Sequence, residues 1–167
     1  GLQILQREKE IFKDNPKVQP DLSGYDYALQ RQLKPEAPLK YQKILNDLGI
    51  IPTSMIDISD GLSSEALHIS KASNVGVCLH EDKIPVDHTV MNMASEFNLN
   101  PIAFALSGGE DYELLFSINQ KDYEKLKKDP DFTIVGYVTD ISEGNNFIAN
   151  DGSSHKLIAQ GWDSTKV

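Results

Sequence analysis

Two short stretches of this chain combine carboxylates with glycine: Asp57-Ile58-Ser59-Asp60-Gly61-Leu62 and Gly108-Gly109-Glu110-Asp111-Tyr112-Glu113-Leu114. Each follows an apolar run and gathers acids where glycine lets the backbone turn sharply. That pairing suits divalent-cation and phosphate chemistry, with hard oxygen ligands for the cation and unpaired N–H groups for the anion. A carboxylate repels phosphate, so acids around a phosphate site make sense when metal ions lie between them. Either stretch alone is equally well read as an acidic surface turn, because Asp and Gly are common turn residues. Two in one chain of this size favour a site.

These residues must be held by the elements around them. Ser54-Met55-Ile56-Asp57-Ile58 reads as a short strand, and Ser59 or Asp60 is expected to cap the helix that follows. Asp57 and Asp60 lie three apart across that junction, so both can point at one spot near the helix N-terminus, with Ser59 adding a hydroxyl. Capping accounts for Ser59 or Asp60. It leaves Asp57 unexplained, an acid set between Ile56 and Ile58 in an apolar strand at a cost unless something pairs with it. In the second stretch Gly108-Gly109 permits backbone geometry closed to other residues. It leads into an expected strand from Tyr112 to Ile118, with Leu114, Leu115 and Phe116 in the core. No Walker A pattern is present, and no Ser or Cys stands beside a His in a nucleophile-base arrangement, which argues against a P-loop or a covalent catalyst.

The rest of the chain supplies a frame. Helices are expected over Leu2–Phe12 (with Leu2, Leu5 and Phe12 apolar), Tyr25–Leu33 and Leu39–Leu48, the last ended by Gly49 as a C′ glycine. Residues 1–50 form this helical lead-in, and 51–167 a mixed sheet with helices. The helix after Gly61 should bury Leu62, Ala66, Ile69 and Ala72 and be followed by a strand from Gly76 to His80. A helix from Asp87 to Phe97 should turn Val90, Met91, Ala94 and Phe97 inward. A polar helix at Gln120–Lys128, a strand at Thr133–Val138 and a hairpin about Asn150-Asp151-Gly152 complete the order. The strand-helix-strand units at 54–80 and 112–138 point to an α/β (α+β) domain, its two units pairing into one sheet with partial ferredoxin-like topology.

The 167 residues carry a net charge of −9, with 40% hydrophobic and 25% charged residues. That places the chain among globular proteins and argues against nucleic acid or an anionic membrane as partner. No apolar run approaches a bilayer span and no secretory leader is visible, so the expected location is cytoplasmic. Cys78, in Val75-Gly76-Val77-Cys78-Leu79, reads as a small buried hydrophobe. His68, His80, His88 and His155 show no metal-ligand spacing.

Ser54 to Leu62 and Ala105-Leu106-Ser107-Gly108-Gly109-Glu110-Asp111-Tyr112-Glu113-Leu114-Leu115-Phe116 together resemble the signatures of the C-terminal half of thiamine-monophosphate kinase. The lead-in Arg31-Gln32-Leu33-Lys34-Pro35-Glu36-Ala37 and the end Gly161-Trp162-Asp163 fit the same family. The resemblance implies an α/β sandwich domain of the aminoimidazole ribonucleotide synthetase C-terminal type. It implies ATP and thiamine monophosphate as substrates, with several Mg2+ ions. Carried over by motif, Asp57 and Asp60 are magnesium ligands, Ser59 an ATP contact, and Glu110 and Trp162 thiamine-substrate contacts. The family carries Arg where this chain has Pro38, and a His-Phe pair where it has Ser164-Thr165. The family's N-terminal half, which supplies most nucleotide and metal ligands and the dimer interface, is not recognised in these residues. The expectation is therefore a domain inactive by itself, working with that half in a homodimer. The competing readings are another synthetase of the superfamily and a phospho-ligand-binding module without catalysis.

Overall fold

The computed structural model describes residues 1–159. Chain punctuation sets most element ends. Helix α1 runs Leu2–Asp14, α2 Asp26–Leu33 and α3 Lys40–Asp47. Helix α3 closes in a Schellman turn: Ile50 N–H donates to the Leu45 carbonyl (2.9 Å) and Gly49 N–H to that of Asn46 (3.0 Å), with Gly49 at φ 63°. Strand β1, Ser54–Asp57, leads to α4, Leu62–Ser73, which stops at a left-handed Asn74. Strand β2 is Gly76–His80. Helix α5, His88–Glu96, starts where the Asp87 carboxylate accepts the Thr89 N–H (2.7 Å).

Helix α6, Pro101–Ser107, was not expected, although its start is well marked. The Asn100 side chain accepts the Ile102 N–H (2.9 Å), and Pro101 occupies the first turn, where a missing N–H costs nothing. Strand β3 covers Leu114–Ser117, shorter than expected at both ends. The polar helix becomes a 3-10 turn at Gln120–Asp122 followed by α7, Tyr123–Leu126. Strand β4 lies at Gly136–Thr139, later than the expected Thr133–Val138. Strands β5, Asn145–Ile148, and β6, Ser154–Lys156, make the hairpin about Asn150-Asp151-Gly152.

The strands divide between two sheets rather than one. Strand β1 pairs antiparallel with β3, Ser54 opposite Ser117 and Asp57 opposite Leu114. The second sheet has the order β4-β2-β5-β6, with β2 antiparallel to β4 and parallel to β5. The two strands flanking α4 thus go to different sheets, and α4 lies against β1, β2 and β3 as well as α6. That placement explains why its first turns are buried nearly all round, from Leu62 through Ala66. The small side chains of Ser63, Ser64 and Ala66 let neighbouring backbone come close.

The main core joins Leu62 and Ala66 to Val77, Leu79, Ile84 and Leu157. Cys78 is buried beside them, as expected. A second cluster of Leu45, Ile50 and Leu126 takes in Phe116 and Phe132, whose rings meet edge to face at 5.8 Å. It fastens α3 to β3 and α7, so the lead-in packs on the rest of the chain.

Helix α1 buries Ile4 and Glu8 rather than its expected face, and Leu2 and Phe12 are about half exposed. The reason is a polar clasp. Arg7 lies over the rings of Phe97 (4.7 Å) and Tyr25 (5.3 Å). It donates to Glu8, Glu96 and the Tyr25 hydroxyl, while Glu8 also accepts the Asp21 N–H (3.1 Å). The inward faces of α4 and α5 are likewise narrower than expected, with Ala72 and Met91 exposed.

Leu126 is 1% exposed at the centre of the second cluster. Leu126→Ala is expected to cost about 2–5 kcal/mol of unfolding free energy in urea, followed by circular dichroism. A loss under about 1 kcal/mol would mean that this cluster does not hold the lead-in.

Candidate functional site

The two acidic-glycine stretches lie side by side because the β1–β3 pairing continues past its last strand residues. Ile58 N–H donates to the Glu113 carbonyl, Tyr112 N–H to that of Ile58, and Glu110 N–H to that of Ser59, each at 2.8 Å. This splice needs unusual backbone. Glu110 and Tyr112 take left-handed φ values of 69° and 55°. Each such residue costs on the order of 1–3 kcal/mol unless its surroundings enforce it. Tyr112 is thus a splice residue and not an ordinary strand residue.

Two glycines make the close approach possible. A Cβ on Gly109 would sit 2.8 Å from the Ser59 carbonyl oxygen, so any side chain there would push the stretches apart. Gly61, at φ 127°, brings the start of α4 against α6, where a Cβ would lie 2.8 Å from the Leu106 carbonyl oxygen.

Neither expected cap forms. The residue at the N-cap of α4 is Gly61, which has no side chain to offer, so helix capping leaves the Ser59 and Asp60 side chains unused. The Asp60 N–H instead donates to Glu65 Oε1 at 3.2 Å. Asp57 needs no compensating partner. In β1 residues alternate between half-buried and exposed, and Asp57 stands on the exposed side, opposite to the expected interruption of an apolar strand.

Asp57, Ser59 and Asp60 line one cleft, of about 480 Å³, with Glu65 and His68. Its wall offers carboxylate and hydroxyl oxygens, the hard donors that suit Mg2+. Among the described residues no three His, Cys, Asp or Glu side chains gather at metal-binding spacing. Glu65 is 1% exposed, and its Oε2 finds no hydrogen-bond donor among the described residues. A buried carboxylate oxygen without a donor is costly, and a cation or its water shell is what would satisfy it. The chemistry of these donors, rather than a ready-made ligand cluster, suits a hydrated magnesium ion.

Across the splice, Glu110 is exposed and its Oε2 accepts the Tyr112 hydroxyl at 3.0 Å. That bond, and more weakly the nearby Asp57 charge, raise the Tyr112 pKa. Arg31 of α2, given no role by the sequence, holds the loop from the other side. Its Nη2 donates to the Asp111 carbonyl (3.2 Å), to Asp111 Oδ1 (3.1 Å) and to Glu113 Oε1 (2.8 Å). Partial burial opposes its charge, yet the two carboxylates outweigh that and raise its pKa. Trp162 lies outside the described residues.

No family model matches the chain. A curated thiamine-monophosphate kinase from Aquifex aeolicus is 32% identical over 163 residues, 97% of this chain and 46% of that protein. One from Pyrococcus abyssi is 38% identical over 118 residues, 70% of this chain and 35% of that protein. The chain thus spans less than half the length of these curated relatives. Among solved structures, "AaThiL complexed with AMPPCP and TMP" matches with a TM-score of 0.70 at 28% identity, covering 93% of this chain and 46% of that one. The hydrogenase maturation protein HypE of E. coli matches with a TM-score of 0.58 at 17% identity, covering 74% of this chain and 40% of its own, a likeness of fold alone. The α+β fold is therefore that of the aminoimidazole ribonucleotide synthetase-like group. With curated relatives matching up to nearly its whole length, and a solved relative repeating its fold, the chain belongs to the thiamine-monophosphate kinase family.

Proposed function

We propose that this chain supplies the C-terminal half of a thiamine-monophosphate kinase, which passes the γ-phosphoryl group of ATP to thiamine monophosphate and yields thiamine diphosphate and ADP. The observation that carries the reading is the hydrogen bond from Glu110 N–H to the Ser59 carbonyl, 2.8 Å long. It sets a loop suited to nucleotide and cation beside a loop suited to the acceptor, as direct transfer between two bound substrates requires. The solved relative whose name pairs AMPPCP with TMP supports the same two ligands.

In this reading Asp57 and Asp60 hold Mg2+, and Ser59 contacts ATP through its hydroxyl. Bound Mg2+ neutralises phosphate charge that the two aspartates would otherwise repel. Glu110 faces the acceptor, where a carboxylate pairs with a thiazolium cation or accepts hydrogen bonds from an aminopyrimidine. The Tyr112 hydroxyl on Glu110 Oε2 fixes that carboxylate and leaves its second oxygen for the ligand. Trp162 offers an aromatic face for the same substrate. The working enzyme also needs the family's N-terminal half and is a cytoplasmic homodimer.

Three outcomes follow. The 167-residue chain alone is expected to give no steady thiamine diphosphate from ATP and thiamine monophosphate, and turnover on the order of 1 per second or faster would contradict the division of labour. In the whole kinase, Asp57→Asn and Asp60→Asn should each lower kcat by roughly 100-fold or more, with added Mg2+ restoring part of the loss. Because both side chains are exposed, the melting temperature should barely move. A lowered melting temperature with normal kcat would make these residues structural. Glu110→Gln in the whole kinase should raise KM for thiamine monophosphate and leave KM for ATP within a few-fold. An ATP-selective defect, or unchanged kinetics, would sink the acceptor assignment.

A further inference from the structure

The magnesium reading leaves one buried acid without a task. Glu65 stands on the first turns of α4 and is the most deeply buried carboxylate among the described residues, at 1% exposure. Its two oxygens differ in kind. Oε1 accepts the Asp60 N–H at 3.2 Å, which fixes the loop carrying Asp60. Oε2 receives no hydrogen bond from any described residue and no water-exposed surface compensates it. No Lys or Arg lines the cleft that Glu65 shares with Asp57, Ser59 and Asp60. A buried carboxylate oxygen without a donor is costly, and a Gln or a hydrophobic residue would fill the space at less cost.

We infer that Glu65 is a positioning residue for the cation held by Asp57 and Asp60, its Oε2 accepting a hydrogen bond from a water bound to that cation. Direct ligation is not the role. Among the described residues Glu65, Asp57 and Asp60 do not gather at three-ligand spacing, and the role assigned to Glu65 is one exerted through a bound water. Mg2+ commonly keeps several of its waters, and a carboxylate behind such a water orients it and adds negative potential. One side chain then performs two linked tasks: Oε1 places the Asp60 backbone, and Oε2 anchors the hydrated ion that the Asp60 side chain ligates. Cation binding supplies the donor that Oε2 lacks, so Glu65 couples the stability of α4 to occupancy of the site.

The inference rests on the magnesium reading of Asp57 and Asp60, and its test separates the two. Glu65→Gln keeps the shape and keeps Oε1 as an acceptor for Asp60, but replaces Oε2 with a group that donates and cannot accept. The readout is the melting temperature of the whole kinase in a Mg2+ titration at constant ionic strength. The wild-type kinase should gain on the order of 3 °C at a tenfold excess over Kd. Without Mg2+, Glu65→Gln should melt no lower than wild type, because a buried carboxylate oxygen without a donor has been removed. With Mg2+ it should show less than half the wild-type gain.

A second measurement uses Mn2+ in place of Mg2+, with free ion counted by electron paramagnetic resonance. Here Glu65→Gln should raise the Mn2+ Kd about 10-fold or more. An equal gain and an equal Kd in wild type and Glu65→Gln, with both lost in Asp60→Asn, would overturn the role of Glu65 alone. No Mg2+ gain and no Mn2+ binding in the wild-type kinase, or binding unchanged in Asp57→Asn and Asp60→Asn, would overturn the cation reading on which it stands. If Glu65→Gln is unfolded by circular dichroism without Mg2+, Glu65 is a structural acid and the inference fails.

Discussion

Everything at this site depends on one backbone splice, in which the Ser59 and Ile58 carbonyls accept the Glu110 and Tyr112 N–H groups. Two left-handed non-glycine residues and a glycine against a carbonyl oxygen are costly local choices, and the splice is what they allow. Without it the two acidic loops would be separate surface turns. With it they lie side by side, each carried on a rigid element. The first loop ends on α4, which is buried in its first turns, and the second runs straight into β3. Side chains on such elements hold their positions better than side chains on free loops.

The surrounding fold defends that arrangement from two directions. Arg31 reaches from α2 and binds the loop by its backbone and by two carboxylates, so the lead-in helices take part in shaping the second motif. The Arg7 clasp ties α1 to the end of α5 through Glu96 and Phe97. Partly exposed ion pairs of this kind contribute little to overall stability, typically under about 1 kcal/mol. Their value lies in geometry. Arg31 also neutralises part of a strongly acidic loop, in which it pairs with Asp111 and Glu113 and not with Glu110.

Local signals carried most elements and both motifs, while the partition of strands and the deepest site residue depended on distant contacts. Gly49, Asn74 and Asp87 marked helix ends, because each acts through its own backbone or a neighbour two residues away. The Asn100-Pro101 start of α6 was marked too, but a helix of seven residues has too little periodicity to be noticed. That β1 leaves β2 and joins β3 is set by pairing across the chain, which no local pattern encodes. The capping expectation at Ser59 and Asp60 failed because Gly61 turns sharply against α6, a contact invisible in the sequence. Glu65 looked like an ordinary polar helix residue. Its burial comes from elements packed on several sides of α4 at once.

The central claim is that both loops serve one ligand site, cation and nucleotide on the Ser59 side and acceptor on the Glu110 side. The most direct measurement is a crystal structure of the whole kinase with Mn2+, a non-hydrolysable ATP analogue and thiamine monophosphate, phased for anomalous signal from the metal. The account predicts an anomalous peak at coordination distance from Asp57 or Asp60, nucleotide density at Ser59 and acceptor density against Glu110. Metal and nucleotide bound elsewhere, with Asp57, Asp60 and Glu110 touching only solvent, would contradict it.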